Sequence, residues 1–446
     1  MQAIITPHTF SGTVRVPASK SHTIRRLLLA SLADGVSTIE HPLDSLDARS
    51  CLAVCRALGA DILEKTDETG TPERWIVQGL VHSKTGFLFA RASHTRPEYI
   101  LDVGNSGTTL FLTLAIAALG ETPCTFTGDE QIRRRSAANL LSALTALGAT
   151  VSSAANGCAP ITVRGPWKGG TCSIECPTSQ YLSALLLAAP LAPAGCITGI
   201  DAPLLNEKPY IDMTLSYLDA QGVPYKKAAD FSHFRIPGGA VYKPMNGTVP
   251  ADFSSAAFPA AAALTGRGSV TLVGLDPHDS QGDKVFFDMI TRMGASVVWS
   301  GSSSGGWEVT VSGNEAKLIA GDFDLNAAPD LLPVMAVIAA FAEGETRLTN
   351  VAHARIKETD RIAVMARELG KLGIRCEEKP DGLVIRGGMP SGAPFGGNVD
   401  GHGDHRIVMA LAAAGLGTAG DLEIRGAEAA DVTYPGFLKL LDAQLK

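Results

Sequence analysis

The chain has 446 residues and eight cysteines, none in a Cys-x-x-Cys pair. The spacings that do occur, Cys51/Cys55 and Cys172/Cys176, fit a zinc ribbon poorly. Reduced, mostly buried thiols in a cytoplasmic protein are therefore expected. No apolar run approaches the ~20 residues that a membrane helix needs, and no basic leader precedes an apolar stretch, so neither a membrane partner nor secretion is expected. Positive charge is also in short supply. The net charge of −7 argues against a nucleic-acid partner, and any anion site must be a local cluster of cations. The Gly-x-x-x-x-Gly-Lys-Ser, Gly-x-Gly-x-x-Gly, Gly-x-Ser-x-Gly, His-Glu-x-x-His and EF-hand patterns are missing. Their absence excludes P-loop nucleotide, dinucleotide, serine-hydrolase, zinc-protease and calcium readings. His402 and His405 stand in no ligand pattern, so no metal is expected.

What is present is repetition. The length points to two or three domains. Six Ala/Leu-rich segments each run into a glycine that opens a short β-like stretch, at Gly35, Gly120, Gly195, Gly268, Gly344 and Gly420, spaced 73 to 85 residues apart. Five second segments close on a Gly turn of their own, as in Ala57-Leu-Gly-Ala and Arg292-Met-Gly-Ala, which reads as a helix C-cap before a strand. The six first segments are apolar on every face, which predicts buried helices with sheets around them. The fold expected is α/β: two clusters of three repeated units. The Gly/Pro-rich stretch Lys226–Val249, halfway along, is the linker candidate.

Each buried helix is preceded by a polar cluster at the same place in its unit: Ser19-Lys20-Ser21, Gly104-Asn105-Ser106-Gly107, Thr178-Ser179-Gln180, Asp252-Phe253-Ser254, Ala328-Pro329-Asp330 and Asp404-His405-Arg406. Caps account for the hydroxyls and carboxylates. They do not account for Lys20, Arg25, His405 or Arg406, because a cation opposes the positive end of a helix dipole unless an external anion is to be held there. Arg133-Arg134-Arg135 and Lys357-Glu358-Thr359-Asp360-Arg361 add cations. Lys357 and Arg361, four apart, are expected on one helix face. Glu358 between them is a candidate acid/base whose pKa its neighbours would tune.

With the six-unit plan, the sequence resembles the 3-phosphoshikimate 1-carboxyvinyltransferase (EPSP synthase) family in Ser19-Lys20-Ser21…Arg25, Gly104-Asn105-Ser106-Gly107-Thr108, Ser179-Gln180, Pro209-Tyr210, Lys357-Glu358-Thr359-Asp360-Arg361 and Asp404-His405-Arg406. The resemblance runs from about Ser11 to the C-terminus. It implies a two-domain inside-out α/β barrel, residues 19–249 forming one domain and 1–18 with 250–446 the other, with helix N-termini pointing into an interdomain cleft. It implies transfer of the enolpyruvyl group of phosphoenolpyruvate to the 5-hydroxyl of shikimate 3-phosphate, with no cofactor and no metal; nothing in the sequence demands a partner chain, so a monomer is expected. The implied catalytic residues are Asp330, Glu358, Lys20 and His405. Lys20, Ser21, Arg25, Thr178, Ser179, Gln180, Asp330, His353 and Lys357 would hold shikimate 3-phosphate. Lys20, Asn105, Gly107, Arg135, Gln180, Arg361 and Arg406 would hold phosphoenolpyruvate.

The sequence departs from the family pattern at several places. Phe111 replaces a common Arg, Glu207 a phosphate-binding Ser, Ser136 a Pro and Val432 a Lys, and His353 stands for Asn or a similar residue. The alternative in the same superfamily is UDP-N-acetylglucosamine 1-carboxyvinyltransferase, whose members carry a loop Cys where this chain has Glu130, and an Asn where it has Ser21. A non-catalytic protein on the same fold would have lost Asp330 or Glu358, and both are here.

Overall fold

The repeat seen in the sequence is a repeat of sheet topology. The computed structural model describes residues 1–80, 82–83, 86–87, 98–302, 306–313, 317–388 and 393–442. Its α-helices are α1 Lys20–Leu32, α2 Leu46–Leu58, α3 Gly107–Ala117, α4 Ala138–Ala146, α5 Ser179–Ala188, α6 Lys208–Gln221, α7 Phe253–Thr265, α8 Val285–Arg292, α9 Leu332–Phe341, α10 Arg361–Lys371, α11 His405–Gly415 and α12 Phe437–Asp442. Odd-numbered helices are the apolar segments. Every residue of α3, α7 and α11 is buried.

Five four-stranded sheets share one plan, a parallel pair continued by two antiparallel strands. In the fourth repeat, Gly12–Arg15 runs parallel to Ser269–Val273, which pairs antiparallel with Gly306–Ser312 and that strand with Ser296–Ser302. In the sixth repeat, Gln2–Ile5 pairs antiparallel with Leu422–Arg425, itself parallel to Gly397–Asp400. The two N-terminal strands therefore complete repeats whose helices lie hundreds of residues later. Strand burial alternates, as in Ser269–Val273, where Val270 and Leu272 are buried between part-exposed neighbours. That alternation is the mark of sheets with one face on the core.

The chain divides into two compact units, Ala18–Val249 and Met1–Pro17 with Pro250–Lys446. They are called the first and second units below. Each has its own apolar core, one around Leu28, Leu112 and Leu185, the other around Phe258, Val337 and Leu411. Each unit holds three repeats, with buried helices inside and sheets around them.

Two sequence expectations are corrected. Lys226–Val249 is not a linker: Lys226–Lys227 and His233–Pro237 join one first-unit sheet, and Asn246–Thr248 lies parallel to Val36–Glu40 in another. Lys357 is not on a helix face with Arg361. Asp360 caps α10 by accepting from the Ala363 amide at 3.0 Å, so the helix starts at Arg361. Lys357 falls instead just after the 3-10 segment Ala352–Ile356. The described eight cysteines are free thiols. Among the described residues no helix is long and apolar enough to cross a membrane.

Candidate active site

The functional side chains follow from how each buried helix begins. Five of the six are capped by a side-chain oxygen: Ser19, Ser106, Thr178, Asp252 and Asp404. Each such cap contributes about 1 kcal/mol. The exception is α9, where the 3-10 turn Pro329–Leu331 leads in and no side chain caps the helix. Asp330 in that turn is left to make other bonds.

In the first unit, the ammonium of Lys20 lies 2.9 Å from Asp47 Oδ2 in the first turn of α2. Arg25, a turn further along α1 and 2% exposed, ties α1 to α5 and α6. Its guanidinium donates to Thr214 Oγ1 (3.0 Å), Ser183 Oγ (3.3 Å), the Tyr210 carbonyl (3.5 Å) and the Ser21 carbonyl (3.2 Å). These partners are neutral. Burial, the largest influence, lowers the Arg25 pKa to about 10 against the raising effect of Tyr217, Tyr210 and Glu207. At that value the guanidinium remains charged at neutral pH, and its hydrogen bonds go to neutral oxygens.

The start of α5 carries the other half of this arrangement. The Glu207 carboxylate accepts from the Ser179 amide at 2.9 Å, from Ser179 Oγ at 2.7 Å and from Thr178 Oγ1 at 3.3 Å. Gln180 Nε2 donates to Thr108 Oγ1 at 2.9 Å, joining the starts of α5 and α3. At α3, Asn105 Nδ2 donates to Asp129 (2.5 Å) and Gln131 (3.0 Å). Arg135 lies over Gly107: a Cβ there would fall 2.1 Å from its guanidinium nitrogen, so glycine is what allows the close approach. Phe111 meets Tyr181 edge-on with ring centroids 5.0 Å apart, and the Tyr181 hydroxyl donates to the Ser136 carbonyl at 2.6 Å. Burial pushes that phenol up to about 12.

The second unit is organised around Arg361, which is buried completely. Its Nε donates to Asp404 Oδ2 at 2.8 Å, one terminal nitrogen to Asp330 Oδ1 at 2.8 Å, and the other to Glu358 Oε2 at 2.6 Å and Asp404 Oδ1 at 3.2 Å. Arg406 bonds Asp330 Oδ2 at 2.8 Å and donates to Ser254 Oγ of α7. One guanidinium thus fastens the starts of α9, α10 and α11 together. Burial would raise the Asp330 pKa, but Arg406, Lys357 and Arg361 outweigh it, with Glu358 opposing them. The carboxyl ends well below its usual range. For Arg361, burial acts to lower the pKa; Asp404, Glu358 and Asp330 reverse that and lift it far above the ordinary value. His353 and His405 are buried in this unit too.

A supporting network went unseen in the sequence. The buried carboxylate of Glu368 on α10 accepts from the Asp400 amide (2.9 Å), Lys371 (2.6 Å) and Arg367 (3.2 Å), and lies 3.0 Å from His402 Nε2. Burial would raise its pKa, but these donors, Lys371 first and then His402, hold it at about 2. It fixes the loop that delivers Asp404, His405 and Arg406. Its only signal was an acid among Ile362, Met365 and Leu369 on a buried helix face. Asp47 gave no signal beyond a first-turn acid.

The structure therefore gathers Lys20, Ser21, Arg25, Thr178, Ser179, Gln180, Asn105, Gly107 and Arg135 on the first unit. Asp330, Glu358, Lys357, Arg361, Arg406, His353 and His405 are on the second. Chemically, the first set offers amide, hydroxyl and guanidinium donors suited to an anion. The second offers two carboxylates paired with buried cations, and those cations hold one of them, Asp330, well below its usual range.

The family model of EPSP synthase (3-phosphoshikimate 1-carboxyvinyltransferase) matches residues 4–441. The chain is 46% identical over 432 residues to a protein of Acetivibrio thermocellus named 3-phosphoshikimate 1-carboxyvinyltransferase, covering 97% of this chain and 95% of that one. It is 40% identical over 448 residues to one of the same name from Halobacterium salinarum, covering 99% and 98%. A solved structure of EPSP synthase from Acinetobacter baumannii superposes with a TM-score of 0.79 at 28% identity, covering 99% of this chain and 97% of that one. By sequence across almost its whole length, and by its fold, the chain belongs to the EPSP synthase family.

Proposed function

We propose that the chain transfers the enolpyruvyl group of phosphoenolpyruvate to the 5-hydroxyl of shikimate 3-phosphate and releases phosphate. The family and its relatives' names support the reaction. The assignment of roles rests on one observation, the cluster in which Arg361 and Arg406 hold Asp330 and Glu358.

In this reading Asp330 accepts the proton of the 5-hydroxyl as its oxygen bonds to C2 of phosphoenolpyruvate, and Glu358 gives a proton to the methylene carbon. The resulting tetrahedral adduct carries both the ether and the phosphate on C2. Glu358 then takes a proton back from the new methyl group as the C2–O bond to phosphate breaks, giving the enolpyruvyl ether, and the phosphate leaves with the proton that Asp330 took from the hydroxyl. Protonation sites at this level are worth roughly 10²–10⁴ in rate. A carboxyl held as low as Asp330 is a weak base. The anionic groups of phosphoenolpyruvate, competing for Arg361 and Arg406, would draw these cations off Asp330 and restore its basicity. On the first unit, Lys20, Ser21, Arg25, Thr178, Ser179 and Gln180 take shikimate 3-phosphate. Asn105, Gly107 and Arg135 take part of phosphoenolpyruvate.

The test is phosphate release from phosphoenolpyruvate with either of two acceptors. Release with shikimate 3-phosphate and none with UDP-N-acetylglucosamine is expected; the opposite pattern would overturn the proposal.

A further inference from the structure

Glu207 is seated at the place where the first unit offers its donors. It precedes α6 with φ 58° and ψ 42°, the left-handed region that a side-chain-bearing residue avoids unless its surroundings hold it there. Its side chain makes no capping bond to α6, the helix it precedes. It turns instead to the start of α5. The carboxylate, on a residue only 2% exposed, accepts from the Ser179 amide, Ser179 Oγ and Thr178 Oγ1. Its charge also acts to raise the pKa of the buried Arg25 guanidinium, whose own hydrogen bonds go to neutral oxygens. The strained backbone thus places an anion of the protein's own on donors that would suit a bound anion.

In the function proposed above, Thr178 and Ser179 receive the phosphoryl group of the acceptor. A carboxylate and a phosphoryl oxygen cannot both take the Ser179 amide proton and the same two hydroxyls, and two unshielded anions at that range repel. We propose that Glu207 is an internal competitor for the acceptor's phosphoryl group: it fills the start of α5 when the site is empty, and must leave those donors for the phosphate to bind. The residue therefore sets how strongly the first unit discriminates in favour of a phosphorylated acceptor. Glu207 stabilises the unliganded helix start and weakens phosphoryl binding, so its removal moves these two properties in opposite directions. A carboxylate that only braced α5, clear of the phosphoryl group, would have no such effect, because its loss would leave binding unchanged or weaker. The inference rests on the proposed assignment of the phosphoryl group to Thr178 and Ser179.

The experiment titrates wild type, Glu207→Ser and Glu207→Gln with shikimate 3-phosphate and, separately, with inorganic phosphate. Thermal unfolding is followed with and without saturating phosphate. Glu207→Ser is expected to bind both ligands at least tenfold more tightly than wild type, and Glu207→Gln several-fold more tightly. Without ligand, both variants are expected to melt below wild type, with the gap closing in phosphate. Equal or weaker binding of inorganic phosphate by both variants would overturn the proposal, as would its failure to bind any of the three proteins at millimolar concentration. Glu207→Gln keeps the side chain's shape and carries the comparison if the Ser variant does not fold. Absence of turnover by wild type with phosphoenolpyruvate and shikimate 3-phosphate would refute the function itself, while the inorganic phosphate titration would still decide the role of Glu207.

Discussion

Arg25 and Arg361 are both withdrawn from water, one in each unit, and their surroundings are opposites. Arg25 rests on hydroxyl and carbonyl oxygens, and burial lowers its pKa to about 10. Arg361 is ringed by Asp404, Asp330 and Glu358, which overcome burial and raise its pKa far above normal. The two units share a repeat plan, so the fold does not dictate this difference. A guanidinium whose hydrogen bonds go to neutral oxygens keeps charge available for an incoming anion, against the opposing carboxylate of Glu207. One already matched by carboxylates presents little net charge, and with Arg406 and Lys357 it holds the Asp330 carboxyl well below its usual range. In the proposed function, the first unit holds the acceptor and the carboxylates of the second unit move protons.

Deleting each cation should expose the contrast most sharply. Arg361→Leu leaves three carboxylates facing one another and should cost about 3–5 kcal/mol in a denaturant titration. Arg25→Met should cost no more than about 2 kcal/mol on the same measurement, yet weaken shikimate 3-phosphate at least tenfold by calorimetry. Equal stability losses would break the comparison. A smaller effect is expected in the network behind Asp404. Glu368 has a folded pKa of about 2 against ~4.3 in the unfolded chain, so its contribution is present above about pH 4.3 and is lost as pH falls through about 2. Glu368→Gln should therefore be less stable than wild type by roughly 1–3 kcal/mol at pH 7, and the two unfolding curves should converge as pH falls below about 4. The smallest change is at α3. Gly107→Ala puts a methyl group against the movable end of Arg135. Stability should stay within about 1 kcal/mol, while the KM for phosphoenolpyruvate rises several-fold and shikimate 3-phosphate affinity holds.

The parts of this contrast that local chemistry writes were legible in the sequence. Six glycine-terminated apolar runs gave the six buried helices, and the residues before them gave five of the six caps. Long-range pairing was not legible. Nothing in Gln2–Ile5 announces Leu422–Arg425 as its partner, and Lys226–Val249 looked like a linker because its strands are short and their partners distant. Lys357 was put on the helix of Arg361 by spacing alone, but the capping of Asp360 decides where that helix starts. The acids proved hardest to read. Asp47, Glu207 and Glu368 act through partners tens of residues away, and an acid's spacing cannot show which distant donor it meets. The sequence suggested an odd anion at Glu207; only the structure shows that its carboxylate takes the Ser179 and Thr178 donors.

The division between binding and proton transfer is tested most directly by titrating shikimate 3-phosphate into Glu358→Gln and measuring its turnover in the same preparation. Affinity within about threefold of wild type, with turnover lower by roughly 10² or more, is the predicted result. Near-normal turnover, or loss of shikimate 3-phosphate binding together with activity, would contradict it.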